Sequence, residues 1–198
     1  AASDVYKRQA LRQARSEAAV ALQASLLELL PPMGLANVRF KVDLRAADPA
    51  DHGADAVCFL FSANPGQPMA PLTEVASGGE MSRFLLALKT TLAAVDGSST
   101  LLFDEIDAGV SGRVSGAMAD LLRSLGEQRQ VFCVTHQPLV AAVADHHFRV
   151  SKEVNEGVTY SRVSQLRDTR ERRQELAELA GGDQADLYAA SLLAQRSA

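Results

Sequence analysis

The sequence predicts an α/β layered protein, and three observations carry that expectation. The chain opens with a long run of helical periodicity that prolines bring to a stop. Short apolar runs suited to strands then alternate with helix-patterned stretches through the middle, as α/β layers require. Two of those strand-like runs end in polar, chemistry-bearing residues, which places candidate groups at the carboxyl edge of a sheet.

The elements follow in order. Leu11, Ala14, Ala18, Leu22, Leu26 and Leu29 recur three or four residues apart, one stripe of a helix over about residues 5–30. Arg8, Arg12, Arg15 and Glu17 fall mostly off that stripe, and the spacing suits the end of a coiled coil or an ordinary packed helix. Residues 1–9 carry no pattern of use. Pro31 and Pro32 end the helix, since proline lacks the amide donor and clashes with the preceding turn. Residues 38–44 alternate apolar and polar as a half-exposed strand does, and residues 56–61 are more uniformly apolar. Between them, residues 46–55 carry Asp, Pro, His and Gly and predict a loop, with a second loop over 62–73. A helix is expected over 81–95, a strand at 100–103, a helix over 114–125 and a buried strand at 131–134. A short helix near 139–144, strands near 147–151 and 158–163, and helices over 170–180 and 184–195 split by Gly181-Gly182 complete the chain.

Composition narrows the classes. With 198 residues, 47% hydrophobic and 22% charged, the chain can bury a sizeable core and is neither disordered nor collagen-like. No apolar run reaches the roughly 18 residues of a membrane span, so no membrane partner is expected. A formal net charge of −4 argues against a wholly basic nucleic-acid surface, though a local patch stays open. Cys58 and Cys133 lie in apolar strand-like runs and are expected to be free thiols in a reducing cytoplasm. No His/Cys cluster has zinc spacing, and His52, His146 and His147 are expected to be structural or exposed.

Three short motifs carry chemistry. Leu101-Leu102-Phe103-Asp104-Glu105 is a buried strand that ends in adjacent carboxylates. In phosphoryl transfer the first would orient Mg²⁺, usually through water, and the second would polarise an attacking water. The plain alternative is a strand end with an acidic turn. Ser77-Gly78-Gly79-Glu80 opens a helix, where glycines allow close approach and free first-turn amides favour an anion. The same four residues also fit a capping box, Ser77 with Glu80. Thr135-His136 follows a strand and would bring an imidazole to the same edge as Asp104 and Glu105, where it could touch a γ-phosphate.

Order and spacing sharpen these readings. The glycine-rich helix start, the Asp-Glu strand end and the strand-end histidine follow one another as signature motif, Walker B and switch histidine do in the C-terminal half of an ATP-binding-cassette head. The wording is closer still. Glu74-Val-Ala-Ser-Gly-Gly-Glu-Met-Ser-Arg83, Leu102-Phe-Asp-Glu-Ile-Asp-Ala-Gly-Val-Ser-Gly-Arg113 and Val134-Thr-His-Gln-Pro-Leu-Val-Ala-Ala-Val-Ala-Asp145 resemble the RecN family of bacterial DNA double-strand-break repair proteins, relatives of the SMC proteins. The resemblance runs from about residue 11 to the last residues.

That resemblance implies a mostly parallel sheet flanked by helices, with residues 1–32 as the base of a returning coiled-coil arm and 33–198 as the C-terminal head lobe. It implies that Ser77, Gly78, Gly79 and Glu80 bind ATP held by the opposite head of a dimer. Asp104 would serve Mg²⁺, Glu105 would be the catalytic base, His136 would sense the γ-phosphate, and Asp107 to Ser111 would form the D-loop across the dimer interface. Ser111 stands where many cassette proteins place Asp, so no carboxylate role is carried over to it. The implied setting is cytoplasmic and nucleoid-associated, with DNA as partner.

A P-loop, G-x-x-x-x-G-K-[ST], is absent from these residues. Lys89-Thr90 is the only Lys-Thr pair, and it falls inside a predicted helix without the glycines. The resemblance therefore implies a partner, an N-terminal P-loop lobe, without which this chain is expected not to hydrolyse ATP. Two other readings stay open: the head of another SMC-like or transporter ATPase, and a non-catalytic lobe that dimerises or binds DNA. The run from Arg167 to Arg173 is interleaved with Asp168 and Glu171 and is expected to be a solvated helix face.

Overall fold

Helix α1 (Ala2–Leu29) spans 28 residues and takes in the unpatterned opening segment. In this computed structural model the described residues are 2–75, 78–93, 95, 97, 99–110, 112–155 and 157–196. The chain divides into two compact units, Ala1–Ser98 and Ser99–Ala198. That division reflects compactness, whereas the boundary expected after residue 32 marks the end of a helix.

In the first unit, Pro31-Pro32 closes α1 through a 3-10 turn (Pro31–Met33), and Gly34 adopts φ 75° and returns its N–H to the Pro31 carbonyl. The expected stripe of α1 holds over its second half only. Leu26 is buried and Leu22 and Leu29 half-buried, with Ala19 and Leu30 buried beside them, while Leu11, Ala14 and Ala18 are exposed and Arg15 is half-buried. Charge explains the departure in the first half. Asp55 is buried, and Arg12 and Arg15 donate to its two oxygens at 2.6 and 3.2 Å. A buried carboxylate is tolerated only when paired in this way. Arg15 also donates to the His52 carbonyl at 2.5 Å. Gly53 sits beneath, with φ 111°; a Cβ there would lie 2.9 Å from both the Leu11 side chain and the Arg15 guanidinium.

The expected loop over 46–55 is instead a hairpin. Strand β1 (Arg39–Ala50) pairs antiparallel with β2 (Gly53–Ser62), with a register irregularity between Ala46 and Ala50. The Asp, Pro and Gly that suggested a loop mark that irregularity and the two-residue turn Asp51-His52. Strand β3 (Ala70–Pro71) adds to β2. Helix α2 (Gly79–Thr91) locks onto this sheet through Phe84, which is fully buried. Its ring centroid lies 5.3 Å from Phe40 of β1 and 4.8 Å, edge to face, from Phe61 of β2. Lys89-Thr90 lies in the last turns of this helix.

The second unit begins with β4 (Thr100–Phe103), α3 (Arg113–Gly126), β5 (Gln130–Cys133) and α4 (Pro138–Ala142). It continues through β6 (His147–Asn155), β7 (Val158–Leu166), α5 (Thr169–Ala180) and α6 (Ala185–Arg196). Strands β4 and β5 pair in parallel, Leu102 opposite Phe132, with α3 as the crossover. Strands β6 and β7 pair antiparallel from His147 opposite Leu166 to Asn155 opposite Val158. The α/β class therefore holds, but the expectation of a mostly parallel sheet is corrected. Among the described residues only β4–β5 is parallel, because short connections can join only antiparallel neighbours.

Helices α4, α5 and α6 pack around Leu176, Ala189 and Leu192. The Arg167–Arg173 segment is part of this scaffold: Arg172 donates to the carbonyls of Ala142 and Ala144, and Arg173 pairs with Asp186. Asp168 caps α5 by accepting from the Glu171 amide at 2.8 Å. Gly181 and Gly182, both at positive φ, break α5 from α6. Among the described residues no helix is long and apolar enough to cross a membrane.

Candidate functional site

The predicted residues fall in both units, and each group is built by its own surroundings. In the first unit, helix α2 starts at Gly79 with Gly78 as its N-cap, extended at φ 179°, which puts Glu80 at the second helical position. Ser77, and with it the capping-box alternative, lies outside the described residues. The first-turn amides carry the positive end of the helix dipole. A Cβ at Gly78 would meet nothing within 4 Å. Gly78, Gly79 and Glu80 line a cavity of about 310 Å³ together with Phe61, Ala63, Val75 and Met81. This is an approachable, anion-favouring helix start. Glu80 is exposed and supports Arg83 one turn on, whose pKa burial lowers.

In the second unit, β4 delivers two carboxylates at its carboxyl end. Asp104 and Glu105 are exposed, flanked by buried Phe103 and fully buried Ile106. Glu105 has φ 55°, the only positive φ at a non-glycine among the described residues. A left-handed backbone at a non-glycine stores about 1 kcal/mol or more and recurs at functional sites. Here it turns the chain sharply after the strand, so that Ile106 anchors the turn while the acids stay outside. The Ala108 amide closes the turn onto the Glu105 carbonyl at 3.3 Å.

Strand β5 ends beside it, tied by the Val134 amide to the Phe103 carbonyl at 2.9 Å. The next residues, Thr135 and His136, therefore leave the sheet at the same edge as Asp104 and Glu105. Asp107 joins the two strand ends. Its side chain is 3% exposed, and Oδ2 accepts from the Thr135 hydroxyl and from the His136 amide at 2.8 Å. The same oxygen lies 3.3 Å from Nδ1 of His136, whose ring is 67% exposed. Gln137 completes the cluster by donating to the Val110 carbonyl at 3.0 Å and accepting from buried Ser115 at 3.4 Å. Asp107, expected in a loop facing a second head, is thus turned into its own unit. Ser111 lies outside the described residues.

Thr135, Gln137 and Ser115 carry this cluster; motif reading named Thr135 without this task and missed Gln137 and Ser115. The available signal was the polar run Thr135-His136-Gln137 set between an apolar strand and Pro138. Cys133 faces the same side, and burial, with Asp107 and Asp104 nearby, pushes its thiol pKa up to about 12, so it is no nucleophile. Cys58 and Cys133 are both free, as expected. His147 is buried, and burial with nearby Arg172 lowers its pKa, the behaviour of a structural histidine.

The described residues hold no cluster of three or more metal-ligating side chains. One or two exposed carboxylates suit Mg²⁺, which keeps waters and phosphate oxygens as most of its ligands. Asp104 is therefore a fitting residue for a nucleotide-borne Mg²⁺ and an unfitting one for a dedicated metal centre.

The chain is 44% identical over 202 residues to the DNA repair protein RecN of Synechocystis, covering 93% of this chain and 35% of that protein. It is 43% identical over 176 residues to RecN of Deinococcus radiodurans, covering 88% of this chain and 31% of that protein. The chain thus spans about a third of the length of the curated relatives it matches. No family model matches. In fold it is similar to the Smc head domain with a coiled coil and joint from Pyrococcus yayanosii, at a TM-score of 0.56 and 22% identity over 81% of this chain and 29% of that one. The Pyrococcus furiosus Smc head with an extended coiled coil, bound to the C-terminal domain of ScpA, gives 0.53 at 18% identity, covering 90% of this chain and 41% of that one.

Proposed function

The chain belongs to the RecN family over the third of those proteins that it spans, and we propose that it is the C-terminal lobe of an SMC-like ATPase head acting in DNA double-strand-break repair and recombination. One observation carries the reading most: two exposed carboxylates on a left-handed turn at the end of β4, with a histidine at the end of its parallel neighbour β5. A sheet edge of that kind suits the cleavage of a phosphoanhydride.

Each residue then has a task. Glu105 accepts a proton from the attacking water, and its turn holds the carboxylate clear of the strand. Asp104 would hold a nucleotide-borne Mg²⁺, and the ion would supply charge stabilisation on the phosphate oxygens. His136 contacts the γ-phosphate. Ser77, Gly78, Gly79 and Glu80 present the α2 start to ATP carried by the opposite head, and Ser111 lies in the loop facing that head. Preorganised dipoles and charges of this sort are worth several kcal/mol in a water-poor site, on the order of a hundredfold or more in rate.

The lobe needs a partner to bind nucleotide, because it has no P-loop sequence. Its own surface supports that view. Leu102, Phe132 and Val134 share one face of β4–β5 and are 71%, 47% and 57% exposed. Parallel strands are ordinarily covered on both faces, and an N-terminal P-loop lobe is the cover proposed here. Helix α1 likewise leaves Tyr6, Gln13, Val20 and Leu27 exposed at intervals of seven, a seam for the other strand of a coiled-coil arm. A cytoplasmic, nucleoid-associated location, and DNA as the partner of the whole protein, follow from the same family reading.

Co-expression with a matching P-loop lobe tests the cover. The two lobes are expected to co-purify and the chain to gain solubility, with Phe132→Glu abolishing both by placing a charge in the shared face. Co-purification unaffected by that change would contradict the assignment. If the lobes associate but hydrolyse no ATP, the non-catalytic dimerisation or DNA-binding lobe becomes the better reading.

A further inference from the structure

We propose that Asp107 is a positioning residue that acts through His136, fixing the imidazole with its proton on Nδ1; the proposal rests on the ATPase reading only for its kinetic consequences. The argument begins with burial. A carboxylate 3% exposed has to be met by donors, and two converge on a single oxygen, Oδ2. They are the Thr135 hydroxyl and the His136 backbone amide at 2.8 Å, and Nδ1 of the His136 ring lies beside the same oxygen at 3.3 Å. Asp107 thus holds the histidine by its backbone, lies against its ring, and holds the preceding residue as well.

The opposite side of the ring gives independent support. The Gln137 side-chain nitrogen donates to the Val110 carbonyl at 3.0 Å, which fixes the orientation of the amide. That same nitrogen lies 3.4 Å from Nε2 of His136, so Nε2 is the acceptor of the pair. A neutral imidazole carries one proton; with Nε2 accepting, the proton belongs on Nδ1, facing Asp107. Both neighbours therefore specify the same tautomer. Thr135 adds a brace by accepting from the Gln137 amide at 3.0 Å while donating to Asp107.

The arrangement links three segments. Asp107 lies on the turn that follows Glu105, Val110 lies on the loop before α3, and His136 leaves β5. A movement of the 107–110 loop would pull on both ring nitrogens of His136 through Asp107 and Gln137. The position of the histidine is therefore set by the loop expected to face the second head, although Asp107 itself is buried.

The test uses the complete protein, with His136→Ala, Asp107→Asn, Asp107→Ala, Thr135→Ser and Thr135→Val variants. Histidine-selective ¹⁵N NMR, with the His136 signal identified by its loss in His136→Ala, is expected to show an Nδ1–H ring in the parent and loss of that signature in Asp107→Asn. An Nε2–H ring in the parent would overturn the proposal whatever the activity. In steady-state hydrolysis, Asp107→Asn is expected to lower kcat at least tenfold with KM for ATP within twofold, and Thr135→Ser to retain activity that Thr135→Val loses. Adding Asp107→Asn to His136→Ala should cause no further loss, since both act at one ring. Multiplying losses would mean that Asp107 acts elsewhere. Should Asp107→Ala fail to fold, the near-isosteric Asn variant and the Thr135 pair still decide. If the parent shows no hydrolysis, the ATPase reading fails while the NMR result still judges Asp107.

Discussion

Replacing Glu105 with glutamine in a complete head is expected to reduce ATP hydrolysis by two to four orders of magnitude, the range general-base removal spans (about 10²–10⁴). Binding of ATP should survive, because the amide keeps the size and reach of the side chain while losing its proton affinity. The geometry sharpens the expectation. Glu105 is exposed at the end of β4 and its backbone is held at φ 55°, so a non-glycine residue at this strained position calls for a reason in the side chain. Glu105→Gly should be equally inactive yet no less stable than the parent, since glycine relieves about 1 kcal/mol or more of left-handed strain. Steady-state hydrolysis and urea unfolding on the same preparations check both halves. An active Glu105→Gln variant would remove Glu105 as the base.

The second large effect lies in the scaffold. Phe84→Ala is expected to cost about 3–5 kcal/mol, the usual toll of emptying a buried aromatic site. Phe84 is fully buried and bridges Phe40 and Phe61 from α2 to both strands of the hairpin. Losing it leaves a cavity and frees the helix whose start is proposed to meet the nucleotide. Leu85→Ala on the same helix, at a site 39% exposed, should cost about 1 kcal/mol or less. Equilibrium denaturation of the two variants separates core packing from helix propensity, because the leucine change alters the latter by a comparable amount.

Much of this was legible in the sequence, for local reasons. Prolines at 31 and 32, glycines at 181 and 182, and short apolar runs at 100–103 and 131–134 are punctuation that tertiary contacts rarely override. The 39–62 hairpin was partly misread because Asp, Pro and Gly signal a turn and a register irregularity as well as a loop. The departure in the first half of α1 was hidden because an arginine turns inward only when a buried partner awaits it. Asp55, 40 residues beyond Arg15, is that partner. The exposed carboxylates and the histidine at one strand edge follow from their motifs. The burial of Asp107 does not: its neighbours in sequence suggest a surface loop, and its partners arrive from the segment just after β5, 28 and 29 residues later.

The central claim is that this chain is half of a split ATPase head. The most direct test is ATP hydrolysis by the chain alone, by a matching P-loop lobe alone, and by the two together. The account predicts turnover only in the mixture, abolished there by Glu105→Gln. Turnover by the chain alone would contradict it, as would a stable two-lobe complex that binds ATP and never hydrolyses it.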